Sequence, residues 1–178
     1  MNQLFGLPAH PLFAHLTVVA IPIAALLAVV VAVFPRVPRL VKITTLALGG
    51  LSVVLVLLME SSGEALEELV TETAAVEYHT EMGETLLPWV VGLFVVIVAI
   101  LAADWWLRRP VSNGPGSRAA PHRNAVSGRI LAIGVAVVAI AVAAGTLVQT
   151  VRIGHSGAQA TWSTPGVNQV GPGEQDED

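Results

Sequence analysis

The sequence predicts an all-α integral membrane protein: a four-helix transmembrane bundle with a short outer helix and a disordered C-terminal tail. Composition is the first indication, because 54% of the 178 residues are hydrophobic and only 12% are charged, against about 25% in soluble domains. The second indication is that four apolar runs are each long enough to cross a hydrocarbon core of about 30 Å as a helix. These runs lie at about residues 11–34, 40–60, 85–107 and 129–151.

Each run is expected to be helical, because backbone groups in lipid must pair within their own segment. The first run carries no charge, is too long for the apolar part of a signal peptide and follows no positively charged segment, so we expect it to be retained. The second run has Lys42 near its start, and the third has Asp104 near its end. Ala, Val and Ile dominate the fourth.

The chain between the second and third runs, residues 61–84, contains no proline and is predicted to be helical. Its first four residues, Ser61–Glu64, have the pattern of a capping box. In that motif, the Ser hydroxyl and the Glu carboxylate each accept a hydrogen bond from an unpaired amide at a helix start. The motif therefore predicts a short outer helix near Ser62–Val70.

A second outer segment is predicted near residues 74–84, leading into the third run. Thr71 or Thr73 is placed to cap it, since a Thr hydroxyl accepts from the free amides of a first helical turn. Pro88 then predicts either a kink or a fresh helix start.

The basic residues orient the bundle. Eight of the nine Lys and Arg residues flank the first hairpin or the linker between the third and fourth runs, and only Arg152 lies on the other side. Because Lys and Arg accumulate on the cytoplasmic face, the linker 110–125 is predicted to be cytoplasmic and both termini extracytoplasmic, in a plasma membrane. Residues 1–162 then form the membrane domain. The tail 163–178 ends in an acidic run and is predicted to be disordered.

The predicted topology also brings four histidines to the extracytoplasmic end: His10, His15, His79 and His155. Twelve of the thirteen carboxylates lie on that side, all except Asp104. Converging imidazoles indicate a haem or metal site. His15 is the strongest single candidate, because an ionisable group about one turn inside a span is costly unless it has a partner. Alone, however, it is equally explained as an interfacial histidine that donates to a backbone carbonyl.

Two cofactors fit these residue types. Haem b would use His15 and His79 as its preferred axial pair, with His155 as the alternative and Arg152 near a propionate. A divalent ion such as zinc would use imidazoles together with carboxylates. His10, Glu60 and Glu64 are the candidate metal ligands, since these two carboxylates are nearest the membrane.

Several other sites are excluded by the sequence. There is no cysteine, so disulfides, iron–sulfur clusters and covalent haem attachment are ruled out. The Glu-x-x-His pairs of a ferritin-like di-metal site and the His-Glu-x-x-His motif of metalloproteases are both missing. Copper(I) would require Cys or Met ligands, and the chain has only three Met.

Short motifs near both ends of the chain resemble those of a known family. Residues 6–15 read Gly-Leu-Pro-Ala-His-Pro-Leu-Phe-Ala-His and resemble the opening Gly-x-Pro-x-His-Pro-x-x-x-His signature of a bacterial membrane family, domain of unknown function 2231. Residues 154–158, Gly-His-Ser-Gly-Ala, resemble its closing motif, and the similarity extends from about Gly6 to Val167. Thr17 stands where that family often has proline. The resemblance implies a four-helix membrane protein with His10, His15 and His155 in its signature, and no established activity.

Three function classes follow. The chain is a haem- or metal-binding protein for electron transfer or redox sensing, or a cofactor-free structural or assembly subunit, or a small transporter. The transporter is the weakest, because the second and fourth runs carry no ionisable group at mid-membrane. We expect the lipid bilayer as a partner and no nucleic acid. A redox or complex partner, a homo-oligomer and an enzymatic activity are left open.

Overall fold

Five helices make up most of the chain in a computed structural model that describes residues 3–4, 7–67, 73–107 and 125–162. The elements are β1 (Gln3–Leu4), β2 (Leu7–Pro8), α1 (Ala9–Val33), α2 (Arg39–Glu67), α3 (Ala74–Glu84), α4 (Leu86–Leu107) and α5 (Ala125–Trp162). Four stretches are long and apolar enough to cross a membrane: His10–Val33, Arg39–Ala65, Ala74–Trp106 and Ala132–Ala160. The predicted all-α membrane bundle is therefore confirmed, with a two-residue strand pair before α1.

The helices form an up-and-down quartet. α1 packs against α2 and α5, and α4 packs against the same two helices from the other side. The connection between α1 and α2, residues 34–38, is short and makes these two helices antiparallel neighbours. α3 lies mainly against α5, at the end of the bundle where α1 begins and where α2 and α5 end. We call this end the His end, and the end with residues 34–38 the basic end.

Small residues let the helices pack closely, as expected in lipid, where van der Waals contact rather than the hydrophobic effect drives association. In the middle of the bundle, three fully buried alanines of α1 pack with Leu93, Ile97 and Ala143; they are Ala24, Ala25 and Ala28. On α5, Gly145 receives the ring of Trp89, so α4 and α5 are in intimate contact there.

The capping box does not start a helix, and the prediction of a separate outer helix near Ser62–Val70 is wrong as far as the structure describes that segment. α2 continues without a break through Glu67. Ser61, which the motif would place at the cap, lies inside this helix. The next residue, Ser62, is buried, and its Oγ donates to Met59 O at 3.0 Å. A helix that enters the motif already formed supplies partners for these amides, so no free donors remain for the box to cap.

The sequence signals on either side of α3 predict the helix boundaries correctly. Thr73 is the N-cap of α3, and its side chain accepts from Val76 N at 3.3 Å. α4 then begins anew at Leu86, with Pro88 in its first turn, where a missing N–H is tolerated. The predicted cap and the predicted fresh start are both confirmed. Thr71, the linker 110–124 and the tail 163–178 lie outside the described residues.

The fourth helix is also longer than the apolar run predicted. α5 runs on to Trp162, well past the predicted end at residue 151. Ile153 packs in the core with Ile21 and Leu86. Ser156, three residues further along α5, is also buried. This inward face keeps the chain helical, because its packing outweighs the cost of roughly 1 kcal/mol for a glycine in a helix.

Candidate functional site

The His end gathers side chains that are far apart in the sequence. His10 comes from the first turn of α1, Glu60 and Gly63 from the end of α2, His79 from α3 and Ser156 from α5. We refer to these five residues as the His cluster. The helices meet here because their hydrophobic cluster just below, which includes Met59, Leu86 and Ile153, fixes their relative positions.

His10 is half-buried and hydrogen-bonded to α2. Its Nδ1 lies 3.1 Å from Met59 O, and a carbonyl oxygen can only accept, so Nδ1 carries the proton. The ring lies over Gly63, where an added Cβ would come within 3.2 Å of Cε1. In the neutral imidazole, Nε2 therefore keeps its lone pair.

The same reasoning fixes the tautomer of His79. Its Nδ1 lies 2.9 Å from Ser156 Oγ. That hydroxyl donates its single proton to Ile153 O at 2.9 Å, so it accepts from His79 Nδ1–H. Gly157 makes room for the ring, since an added Cβ would lie 3.0 Å from Cε1. His79 thus also presents Nε2 as the atom with a free lone pair.

The two imidazoles lie near each other, and Glu60 directly follows Met59, whose carbonyl oxygen accepts from His10. His10 is near enough to His79 to act on it electrostatically. Glu60 feels the charges of Glu64 and Glu84, and its Oε1 is buried with no hydrogen-bond partner among the described residues. A buried carboxylate oxygen without a partner is costly and is a position where a cation or a proton is favoured.

The His cluster contains the residue types that a divalent cation site uses. Imidazole nitrogens and carboxylate oxygens are the ligands that zinc takes in the absence of cysteine. Hydrogen bonds from Nδ1 to a carbonyl or hydroxyl oxygen are the usual way in which a metal-binding histidine is oriented. Within the described residues, however, no three His, Asp or Glu side chains stand close enough to hold an ion together.

Other predicted site residues lie outside the cluster. His15 is exposed on α1, and its Nδ1 donates to Pro11 O at 2.5 Å. That is the alternative in which an interfacial histidine is satisfied by its own helix. His155 and Arg152 are exposed on α5, and Glu64 is exposed on α2. The structure therefore gathers His79 with His10, and it leaves His15 and His155 on the exposed surface.

Sequence reasoning missed the residues that hold the imidazoles. Ser156 and Gly157 were passed over because they lie beyond the apolar run that ends at about residue 151, although Ser-Gly beside a transmembrane run is a place where a ring can pack. Gly63 was assigned to a capping box. The available signal was the small residues themselves, which on two different helices face aromatic rings.

A second polar contact, at the basic end, was also missed. Lys42 Nζ lies 2.6 Å from Asp104 Oδ2 and 2.9 Å from Pro35 O. The pair joins α2 to α4, and the two side chains are only 15% and 18% exposed. The sequence held the signal, because Lys42 near the start of the second run and Asp104 near the end of the third are predicted to lie at the same end.

Comparison with protein-family models, with curated proteins and with solved structures finds no match. The resemblance of residues 6–15 to the opening signature of domain of unknown function 2231 stays a prediction. The chemistry of the bundle is therefore inferred from the His cluster.

Proposed function

We propose that this multi-pass membrane protein binds a divalent metal ion such as zinc at the His end of its bundle. His10 and His79 are the imidazole ligands through Nε2, and Glu60 supplies the carboxylate. The observation that carries the proposal is the pair of Nδ1 hydrogen bonds, to Met59 O and to Ser156 Oγ. They orient two rings from distant helices and leave the same nitrogen free on each.

The buried Glu60 oxygen supports a cation in particular. Its Oε1 has no hydrogen-bond partner in the described part of the chain, and two further carboxylates repel it. A bound cation relieves both costs. Because the ligands, among the described residues, are not close enough to hold an ion, binding requires the three side chains to draw together, and both Nδ1 hydrogen bonds must persist for the rings to stay oriented.

Haem b is the competing cofactor. The axial pair first expected, His15 with His79, is less favoured, because His15 is exposed and engaged with Pro11 O. Zinc has no redox chemistry, so a zinc-loaded cluster acts as a structural or ion-responsive site. Electron transfer or redox sensing would need haem or another redox-active metal at the same end.

A cofactor-free subunit is the second candidate, and the same hydrogen bonds favour it. They tie α1 to α2 and α3 to α5, which is sufficient reason for the two histidines to be there. In either case, the excess of basic residues opposite the His end supports a plasma-membrane orientation with that end and both termini outside.

Elemental analysis and an absorption spectrum, oxidised and reduced, of protein purified in mild detergent test the proposal. We expect no Soret band, stoichiometric zinc after loading, and loss of that zinc in His10→Ala and in His79→Ala. His155→Ala is the matched control, because it removes an exposed imidazole from the same end. A Soret band that shifts on reduction would show that the cofactor is haem and would contradict the zinc proposal. If the protein binds neither zinc nor haem, the cofactor-free subunit is the interpretation that remains.

A further inference from the structure

A groove on the outside of the bundle lies far from the His cluster. It has a volume of about 440 Å³ and is lined by Val96, Ala99, Ile130, Gly134, Val135 and Val138. Its walls are α4 and α5, in the half of both helices nearer the basic end. The volume falls within the range of about 300–1,000 Å³ that is typical of small-molecule sites.

The groove exists because the contact between α4 and α5 differs along its length. Toward the His end, Trp89 fills the space over Gly145. In the other half, the facing residues include Ala99 and Gly134, and an added Cβ on Gly134 would meet no atom within 4 Å. The small residues therefore leave an open channel in the surface.

The channel opens within two of the candidate membrane spans. Val96 and Ala99 lie within one candidate membrane span, and Gly134 to Val138 lie within another. The lining side chains are all apolar, so an apolar chain is favoured there and water is not.

The charge at the same end indicates which lipid. In the sequence, Arg108 and Arg109 directly follow the end of α4, and Arg129 directly precedes Ile130 on α5. Basic residues beside grooves between transmembrane helices favour anionic head groups. We propose that the groove holds one acyl chain of an anionic phospholipid from the leaflet at the basic end, with its phosphate at the level of residue 129.

Lipid retention tests this proposal. The protein is reconstituted into vesicles of equal parts phosphatidylcholine and phosphatidylglycerol, extracted in mild detergent, and its bound lipid is counted by mass spectrometry. We expect retained phosphatidylglycerol to exceed phosphatidylcholine, and Arg129→Gln to lower that preference about five-fold, as expected for one basic residue at an anionic surface. Equal retention of the two lipids would overturn the proposal.

Two filling variants test the position of the chain. Gly134→Leu places a side chain in the groove where no atom opposes it, and Ala99→Leu fills it from the exposed surface of α4. Both are expected to lose the retained phosphatidylglycerol. Gly154→Leu is the matched control on the same helix, since its Cβ is also unopposed but lies at the His end. Unchanged retention in either filling variant would contradict the assignment.

The alternative occupant of the groove is a second copy of this chain. The sequence has no cysteine, so Val138→Cys reports on that face alone. Oxidation in membranes is expected to leave this variant uncrosslinked, because lipid separates the chains. An efficient disulfide-linked dimer would assign the groove to self-association and would overturn the lipid proposal.

Discussion

Gly145→Ala is expected to loosen the contact between α4 and α5. A Cβ at Gly145 would overlap the Trp89 ring, with Cε3 at 2.8 Å and two further ring atoms nearer still. Relief of this overlap requires the Trp89 ring to move off α5 and to lose its packing there. Overpacking of this kind costs about 1–3 kcal/mol, and replacing glycine by alanine in a helix returns roughly 0.5–1 kcal/mol.

The net loss in free energy of unfolding is therefore about 0–2.5 kcal/mol. Gly134→Ala is the matched control on the same helix, because nothing lies within 4 Å of its added Cβ, and it should be neutral or slightly stabilising. Denaturant titration of both variants in detergent, followed by circular dichroism, measures the difference. Trp89→Leu in the Gly145→Ala background should recover part of the loss. If Gly145→Ala proves as stable as Gly134→Ala, the ring does not occupy the space over the glycine.

Three further outcomes are expected. Lys42→Met removes the ammonium group that faces the mostly buried carboxylate of Asp104, so it should cost about 3 kcal/mol. The double variant Lys42→Met/Asp104→Leu should cost less than the sum of the single changes. Unfolding titrations measure both, with exposed Arg36→Gln as a control expected within about 0.5 kcal/mol. Ser156→Ala should weaken zinc binding about 10- to 100-fold, because it removes only the acceptor that orients a ligand; calorimetry measures it, and an unchanged affinity would contradict that role. A reporter fused after Gly114 should be active only in the cytoplasm, and activity outside would reverse the proposed orientation.

The spans could be predicted because lipid imposes a strict demand. A backbone that crosses a hydrocarbon core must satisfy its own hydrogen bonds, so an apolar run of sufficient length is a helix. Beyond the core that demand ends, and hydropathy gives no signal. This is why the extensions of α2 to Glu67 and of α5 to Trp162 were missed: one buried face, with Ile153 and Ser156, maintains a helix that the glycines alone argue against.

The partners of the histidines could not be predicted for a different reason. α1 is apolar on every side, so its sequence has no polar face to show which residues point toward the bundle. His10 and His15 are five residues apart and therefore project in different directions, one toward Met59 O and the other to an exposed position. Which of the two faces inward is decided by contacts with α2 and α3, and no local pattern encodes them.

The contrast between the two ends leads to a last prediction, on Glu60. At the basic end, Lys42 and Asp104 satisfy each other, whereas at the His end Glu60 Oε1 is buried and, among the described residues, unpaired. An unsatisfied buried group costs about 1–3 kcal/mol. Glu60→Met should therefore stabilise the metal-free protein, since it removes that cost at similar volume.

The same variant should lose the gain that zinc gives the unmodified protein, which is about 2.7 kcal/mol at a free ion concentration of one hundred times Kd. Unfolding titrations with and without zinc measure both effects, and Glu64→Met is the control, because that carboxylate is exposed. The two effects have opposite signs only if the carboxylate is a liability without the ion and a ligand with it. A Glu60→Met protein that is less stable without zinc would mean that Glu60 is engaged structurally, and the basis for a cation at this end would be lost.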